Sequence, residues 1–164
     1  MADSLPAHLE PSKLGTKEYW DALYSTELSN HASNPADQGT VWFDDSDAEA
    51  KLLAFLAARD DPALDRAATS GDTSPVLSGD QDAGWDVVLD KGTFDAICLS
   101  DQLDDRGRRI CEGYKEKVPT LVRPGGLFVV TSCNWTEEEL RAWAFTFGGA
   151  KGQTISTLCF RRRS

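Results

Sequence analysis

Apolar runs alternate with helical patterns through the second half of the chain. Residues 86–90, 127–132 and 154–160 are short apolar runs of the kind that form buried strands in parallel sheets. Residues 104–122 repeat apolar side chains at helical spacing, and a second helical pattern covers 136–143. Strands that alternate with helices in this way predict an α/β fold whose sheet has parallel members.

Two pairs of residues have the spacing of a capping box, in which each side chain bonds a backbone N–H of the other residue. Ser46 is followed by Glu49, and Thr136 is followed by Glu139. The first pair predicts the start of an amphipathic helix over 47–58. The second pair predicts where the last helical pattern begins.

Polar stretches separate these elements. Residues 1–12 predict a disordered N-terminus, which leaves 13–164 as a single domain. Aromatic side chains four residues apart predict a short helix over 15–24, and loop-forming residues follow at 29–35. Residues 60–84 carry neither a strand nor a helix pattern and predict an irregular segment. A structureless connection of this length is unusual inside a compact domain.

Composition narrows the classes of function. The formal net charge of −10 argues against nucleic acid as the main partner, because phosphate binding draws on clustered Lys and Arg. No apolar run approaches the ~18 residues that cross a bilayer, and the chain does not start with a secretion signal. The 2 histidines and 4 dispersed cysteines form no zinc motif. We therefore expect a cytoplasmic protein with reduced cysteines, no membrane contact and no metal.

Glycines in this sequence indicate turns. Residues 123–126 read R-P-G-G and predict a turn before a strand. Residues 148–154 lack the G-x-x-x-x-G-K-[ST] order, and a strand follows them where phosphate binding needs a helix N-terminus. No G-x-G occurs anywhere in the chain, although Rossmann-type sites place glycines after their first strand.

Polar residues follow two of the predicted strands, at the edge of the sheet where ligands bind in α/β folds. The first strand ends in Asp90-Lys91-Gly92-Thr93, and the next ends in Ser132-Cys133-Asn134-Trp135. Two interpretations of Asp90 remain open from spacing alone. It orients a reacting group in a site, or it caps the following helix while Gly92 makes the turn.

Five motifs in a fixed order carry a resemblance to a known family. They are LGTKEYWD at 14–21, VWF at 41–43, LDKGTFDAI at 89–97, TSCNWT at 131–136 and FTFGG at 145–149. Together they resemble the S-adenosylmethionine-dependent lysine methyltransferases that modify translation elongation factor 1-alpha. The R-P-G-G turn is also similar to the turn before the fifth strand of many class I methyltransferases.

The resemblance implies a class I, Rossmann-like fold with seven strands in the spatial order 3-2-1-4-5-7-6. The three predicted strands would then be strands 4, 5 and 7, which are neighbours. The family's D-x-G-x-G-x-G loop, the strand-2 acid and strand 3 should lie between residues 59 and 85, where too few residues are available. Strand 6 is expected near 143–145 and is also missing. We therefore expect an incomplete fold that retains strands 4-5-7 and their flanking helices.

The resemblance also implies roles for individual residues. Asp90 would lie at the methyl-transfer point, where it would contact the cofactor and orient the lysine amine, and Trp42 would cover the cofactor. The residues that would shape the lysine channel are Lys91, Gly92, Thr93, Asn134 and Trp135.

The implied function is methylation of a lysine on elongation factor 1-alpha, with S-adenosylmethionine as cofactor and the chain acting as a monomer. The alternative is a shortened, inactive relative that only binds the elongation factor. The short segment at 60–84 favours weak cofactor binding, whereas the motifs at the strand ends favour retention of the substrate side.

Overall fold

The structure is a computed structural model and describes residues 8–58, 84–145 and 155–163. Its helices and strands are α1 (Lys17–Ser33), α2 (Ala48–Ala57), β1 (Trp85–Lys91), α3 (Thr93–Cys98), α4 (Tyr114–Leu121), β2 (Val122–Ser132), α5 (Glu137–Phe145) and β3 (Ser156–Arg161). Short 3₁₀ helices cover Lys13–Gly15, Asp44–Ser46 and Ile110–Gly113. Of the irregular segment predicted over 60–84, all but Gly84 lies outside the described residues, and so does the turn predicted over 148–154.

The three strands pair in the order β1-β2-β3. β1 runs parallel to β2, with Leu89 opposite Val129, and β2 runs antiparallel to β3, with Val129 opposite Cys159. The prediction that the three strands are neighbours is confirmed. The predicted parallel pairing is confirmed for β1 and β2. The described elements therefore form a mixed α/β structure around a three-stranded sheet.

β2 contains an irregularity where the sequence predicts a turn. Trp85 pairs with Val122, and Val87 already pairs with Leu127, so the four residues 123–126 lie opposite Asp86 alone. The Arg123 guanidinium bonds the Asp86 carboxylate across this bulge. The R-P-G-G stretch is thus a bulge within a continuous strand and does not end the strand as a turn would.

Helices cover both faces of the sheet because side chains alternate along each strand. Phe128 and Val130 of β2 point into the main core. The other members of that core are Phe94, Cys98, Cys111, Val118, Val122, Trp135, Leu140 and Leu158. Val129 points to the opposite face, where α2 and the sheet enclose a cavity of about 400 Å³.

Two helices differ in length from their predictions. α1 continues to Ser33, so much of the loop predicted at 29–35 is helical. The helix predicted over 104–122 becomes a 3₁₀ turn and the shorter α4. Residues before that turn are not helical, and the Asp104 carboxylate holds them in a loop by accepting hydrogen bonds from the backbone N–H groups of Arg106 and Arg108.

One of the two predicted capping boxes forms. Glu139 accepts from the Thr136 backbone N–H at 2.8 Å and donates its own N–H to Thr136 Oγ1 at 3.2 Å, which confirms the start of α5. The capping box predicted at Ser46 does not form, so that prediction is wrong. The Ser46 hydroxyl donates to the Phe43 carbonyl, and Glu49 instead pairs with a lysine of β1.

The N-terminal segment lies against the end of α3. The Ser12 N–H donates to the Leu99 carbonyl at 3.1 Å, and Arg109 donates to the Leu9 carbonyl at 3.2 Å. Leu9 packs on the core. The predicted disorder therefore does not extend to residues 8–12, and residues 1–7 lie outside the described residues.

Gly15→Ala should release this segment from α3. A Cβ at Gly15 would collide with the backbone of Leu99 and Ser100, whereas one at Gly113 would meet no atom within 4 Å. We expect Gly15→Ala to lower the free energy of unfolding by about 1–3 kcal/mol through overpacking. Urea denaturation of both alanine variants tests this, and equal stability of the two would contradict the contact.

Candidate active site

A cavity of about 430 Å³ lies beside the carboxyl ends of β1 and β2. One wall comes from α1 and the aromatic pair Trp42 and Phe43. The other comes from residues 91–93, α3 and the turn at 133–134. The structure thus brings the N-terminal aromatic residues and the two strand ends to one place.

Asp90 caps α3 and does not line this cavity. Its carboxylate accepts hydrogen bonds from the backbone N–H of Thr93 at 2.8 Å and of Phe94 at 3.1 Å. The Tyr114 hydroxyl also donates to it. The side chain is 4% exposed. Of the two interpretations left open by the sequence, the structure shows the capping contact, and a contact with a methyl group or an amine stays a prediction.

The three residues after Asp90 do line the cavity. Lys91 Nζ lies 3.0 Å from Glu49 Oε2, which ties the end of β1 to α2. Gly92 has a φ of +85°, in the left-handed region that favours glycine, and a Cβ there would lie 3.3 Å from the Phe43 ring. Thr93 begins α3. The glycine therefore serves both the turn and the close approach of Phe43.

The structure separates Asn134 from Trp135. Asn134 lines the cavity. Trp135 is 8% exposed and packs in the core, with its ring centroid 5.9 Å from that of Phe94. Its predicted place in a lysine channel would require the core to open, and that role stays a prediction.

Trp42 belongs to an aromatic wall of the cavity. Its ring centroid lies 5.3 Å from that of Trp20, which in turn lies 6.0 Å from that of Tyr24. Trp20 Nε1 donates to the Leu14 carbonyl at 2.7 Å, which fixes its ring. Trp20 was not among the predicted site residues, although its spacing of four from Tyr24 placed both rings on one helix face.

Two further polar residues were missed. Tyr114 reaches Asp90 from α4, and no sequence spacing connects them. Asp95 lines the cavity and is 5% exposed. A carboxylate inside the otherwise apolar TFDAIC helix was the available signal for Asp95, because a buried acid needs a specific partner.

Burial raises the pKa of both Asp90 and Asp95 above the ordinary value of 3.8, against the opposing effect of their hydrogen bonds. The folded chain therefore retains these protons at pH values where the unfolded chain has lost them. The stability that each group contributes is present at low pH and declines as the pH rises from 3.8 through the raised folded pKa.

Asp90→Asn should reduce the change in the free energy of unfolding with pH that the Asp90 carboxyl causes. The amide keeps an acceptor for the helix N–H groups but does not titrate, so the free energy of unfolding should fall less with rising pH than in the wild-type chain. Urea denaturation from about pH 4 to pH 7 measures the difference. Asp105→Asn, at an exposed position, is the control, and parallel curves for wild type and Asp90→Asn would contradict the assignment.

Residues 8–58, 84–145 and 155–163 contain neither a metal-binding cluster nor a membrane-spanning helix. No cluster of three His, Cys, Asp or Glu side chains suited to a metal ion occurs there. None of the helices within those ranges has the length and apolar character needed to span a membrane.

Comparison with curated proteins gives several similar chains. The chain is 30% identical to protein-lysine N-methyltransferase EFM4 of Saccharomyces cerevisiae, over 96% of this chain and 98% of the yeast protein. It is 28% identical to EEF1A lysine methyltransferase 2 of Danio rerio, over 93% and 89% of the two chains. The human protein of the same name is 27% identical, over 93% and 88%. No protein-family model and no solved structure matches the chain significantly.

These alignments are longer than the chain. The alignment with the yeast protein covers 225 positions and the chain has 164 residues, so at least 61 aligned positions have no residue in this chain. The yeast relative therefore has residues within the aligned region that have no counterpart in this chain.

Proposed function

The chain belongs to the family of protein-lysine methyltransferases that includes EEF1A lysine methyltransferase 2, and from this membership we propose that it methylates a lysine of translation elongation factor 1-alpha. S-adenosylmethionine is the proposed methyl donor. The observation that carries the proposal is end-to-end similarity to methyltransferases, combined with a cavity at the strand ends that bear the shared motifs.

The proposed fold is the 4-5-7 part of a class I sheet. β1, β2 and β3 correspond to strands 4, 5 and 7, and their order β1-β2-β3 supports this. In this assignment the unmatched positions of the relatives hold strands 1 to 3. The carboxyl ends of β1 and β2 would then form the half of the active site that faces the substrate.

The described residues fit part of the cofactor. The cavity of about 430 Å³ is within the usual range for a small-molecule site, and the rings of Trp20 and Trp42 offer an apolar wall that suits an adenine or a methyl group. The ribose hydroxyls need a free carboxylate. Asp95 is the carboxylate that lines the described cavity, and other donors already occupy it. When bound, the cofactor supplies a methyl group on a positively charged sulfur.

The chain's own residues act on the lysine side. An amine must be neutral to accept a methyl group, and the apolar wall lowers the pKa of an entering ammonium by removing water. Asn134 lines the opposite wall and carries an amide group. Gly92 and Thr93 shape the entrance, and Lys91, held by Glu49, borders it. Holding the amine in one orientation is the main contribution of such a site to the rate.

A second candidate function is binding of the elongation factor without methyl transfer. The at least 61 aligned positions without a residue in this chain favour it, because in the proposed assignment they include the cofactor contacts of strands 1 and 2. The proposed substrate half, by contrast, lies at the ends of β1 and β2, within the described residues.

A pull-down of elongation factor 1-alpha combined with a methylation assay separates the two candidates. Binding with methyl transfer supports the enzyme. Binding without transfer at high cofactor concentration supports the binding module, and absence of both contradicts the proposed function in either form.

A further inference from the structure

Asp95 joins the two strand ends that form one wall of the cavity. It lies in α3, after β1, and its carboxylate reaches the turn that follows β2. Ser132 Oγ donates to Asp95 Oδ1 at 2.5 Å, and the Cys133 backbone N–H donates to Oδ2 at 2.9 Å. The Cys133 thiol donates to the same oxygen at 3.5 Å. One side chain thus accepts three hydrogen bonds from the other segment.

These contacts extend to Asn134 through Ser132. The Ser132 hydroxyl accepts the backbone N–H of Asn134 at 3.2 Å and that of Trp135 at 3.1 Å, while it donates to Asp95. Ser132 is 0% exposed and Asp95 is 5% exposed, so water does not replace either partner. The direction of the Ser132 hydroxyl, and with it the turn that carries Asn134, depends on the carboxylate.

All three partners of Asp95 are neutral, which is unusual for a buried carboxylate. A buried acid held only by neutral donors costs stability relative to an apolar residue unless its bonds are well made. A helix on the cavity wall could be fixed to β2 by apolar packing alone. The buried acid therefore indicates that the turn after β2 must keep a defined geometry.

We propose that Asp95 is a positioning residue that holds Asn134 at the cavity wall, and that it thereby sets the affinity for the lysine side chain of the protein substrate. The inference rests on the proposed function. It assigns Asp95 no contact with the cofactor or with the reacting atoms.

The decisive variants are Asp95→Ala, which removes all three acceptor contacts, and Asp95→Asn, which keeps one oxygen for the Cys133 N–H. We expect Asp95→Ala to weaken binding of the elongation factor about tenfold, and Asp95→Asn to restore part of that loss. Asp105→Asn removes an exposed carboxylate and should bind like the wild-type chain. Thermal melts identify a temperature at which every variant is folded, and binding is measured at that temperature.

A thiol readout tests the same geometry without the substrate. Burial and the Asp95 charge raise the pKa of Cys133 to about 11. In Asp95→Asn the midpoint of Cys133 alkylation, followed residue by residue by mass spectrometry, should move to lower pH. Asp105→Asn should leave it in place.

The action through Ser132 is tested by a double-mutant cycle with Ser132→Ala. If the double variant loses less binding free energy than the sum of the two single variants, Asp95 and Ser132 act through one pathway. Additive losses, or an Asp95→Ala chain that binds like the wild type, overturn the proposal, and so does an unchanged alkylation midpoint. A wild-type chain that does not bind the elongation factor would contradict the proposed function instead.

Discussion

Asp90→Ala is expected to lower the free energy of unfolding by about 3 kcal/mol, the largest effect that the described site residues predict. Two losses add in this variant. Removing a helix cap costs about 0.5–2 kcal/mol, and losing the hydrogen bond that a half-buried hydroxyl donates to a carboxyl group costs about 1–3 kcal/mol. The cap joins Asp90 to the backbone of Thr93 and Phe94, and the hydroxyl is that of Tyr114.

Matched variants divide the two losses. Tyr114→Phe removes only the hydroxyl contact, so we expect about half of the loss, and Asp90→Asn keeps the cap and should lose least. Asp105→Ala, at an exposed position, is the control. Urea denaturation provides the measurement. An Asp90→Ala chain of wild-type stability that lacks methyl transfer would contradict the capping account and favour direct contact with the reacting groups.

The second large effect concerns the cofactor. We expect the chain to bind S-adenosylmethionine at least about a hundredfold more weakly than the yeast relative does under the same conditions. At least 61 aligned positions of that relative have no residue in this chain. In the proposed assignment they supply the glycine loop and the acid for the ribose, whereas the described cavity supplies chiefly an apolar wall.

Isothermal titration of the two proteins side by side measures this difference. Trp42→Leu should weaken the residual binding further, because its ring forms part of the wall, whereas Trp85→Leu, on β1 and away from the cavity lining, should not. Micromolar binding by the wild-type chain would contradict the expectation. It would mean that residues outside the described ranges replace the missing contacts.

The strands and the family were predictable from the sequence because their signals are local. The apolar runs that became β1, β2 and β3 need no partner to be recognised. The five motifs kept their order, and the similarity to protein-lysine methyltransferases over 96% of the chain confirms the resemblance. The order of the strands came from that resemblance, since periodicity alone does not determine which strands pair.

The missed features depend on contacts between distant residues. Glu49 has the spacing of a capping residue but pairs with Lys91, which is 42 residues away in the chain. Sequence spacing identifies the competing local partner of Glu49 and cannot show the distant one.

The sequence predicted where the candidate site lies, but not what each of its residues contacts. Asp90 and Asn134 both lie where apolar strands end. In the structure Asp90 caps α3, whereas Asn134 lines the cavity. Asp95 has no spacing signal that connects it with Ser132, because α3, α4 and β2 separate the two residues in the chain. Only the parallel pairing of β1 and β2 brings them together.

Mass spectrometry of elongation factor 1-alpha, incubated with the purified chain and millimolar S-adenosylmethionine, tests the central claim most directly. The proposed function predicts added methyl groups on a lysine, with a rate that falls in Asn134→Ala and is unchanged in Asn30→Ala, on the exposed surface of α1. An elongation factor that carries no methyl group after incubation at saturating cofactor would contradict it.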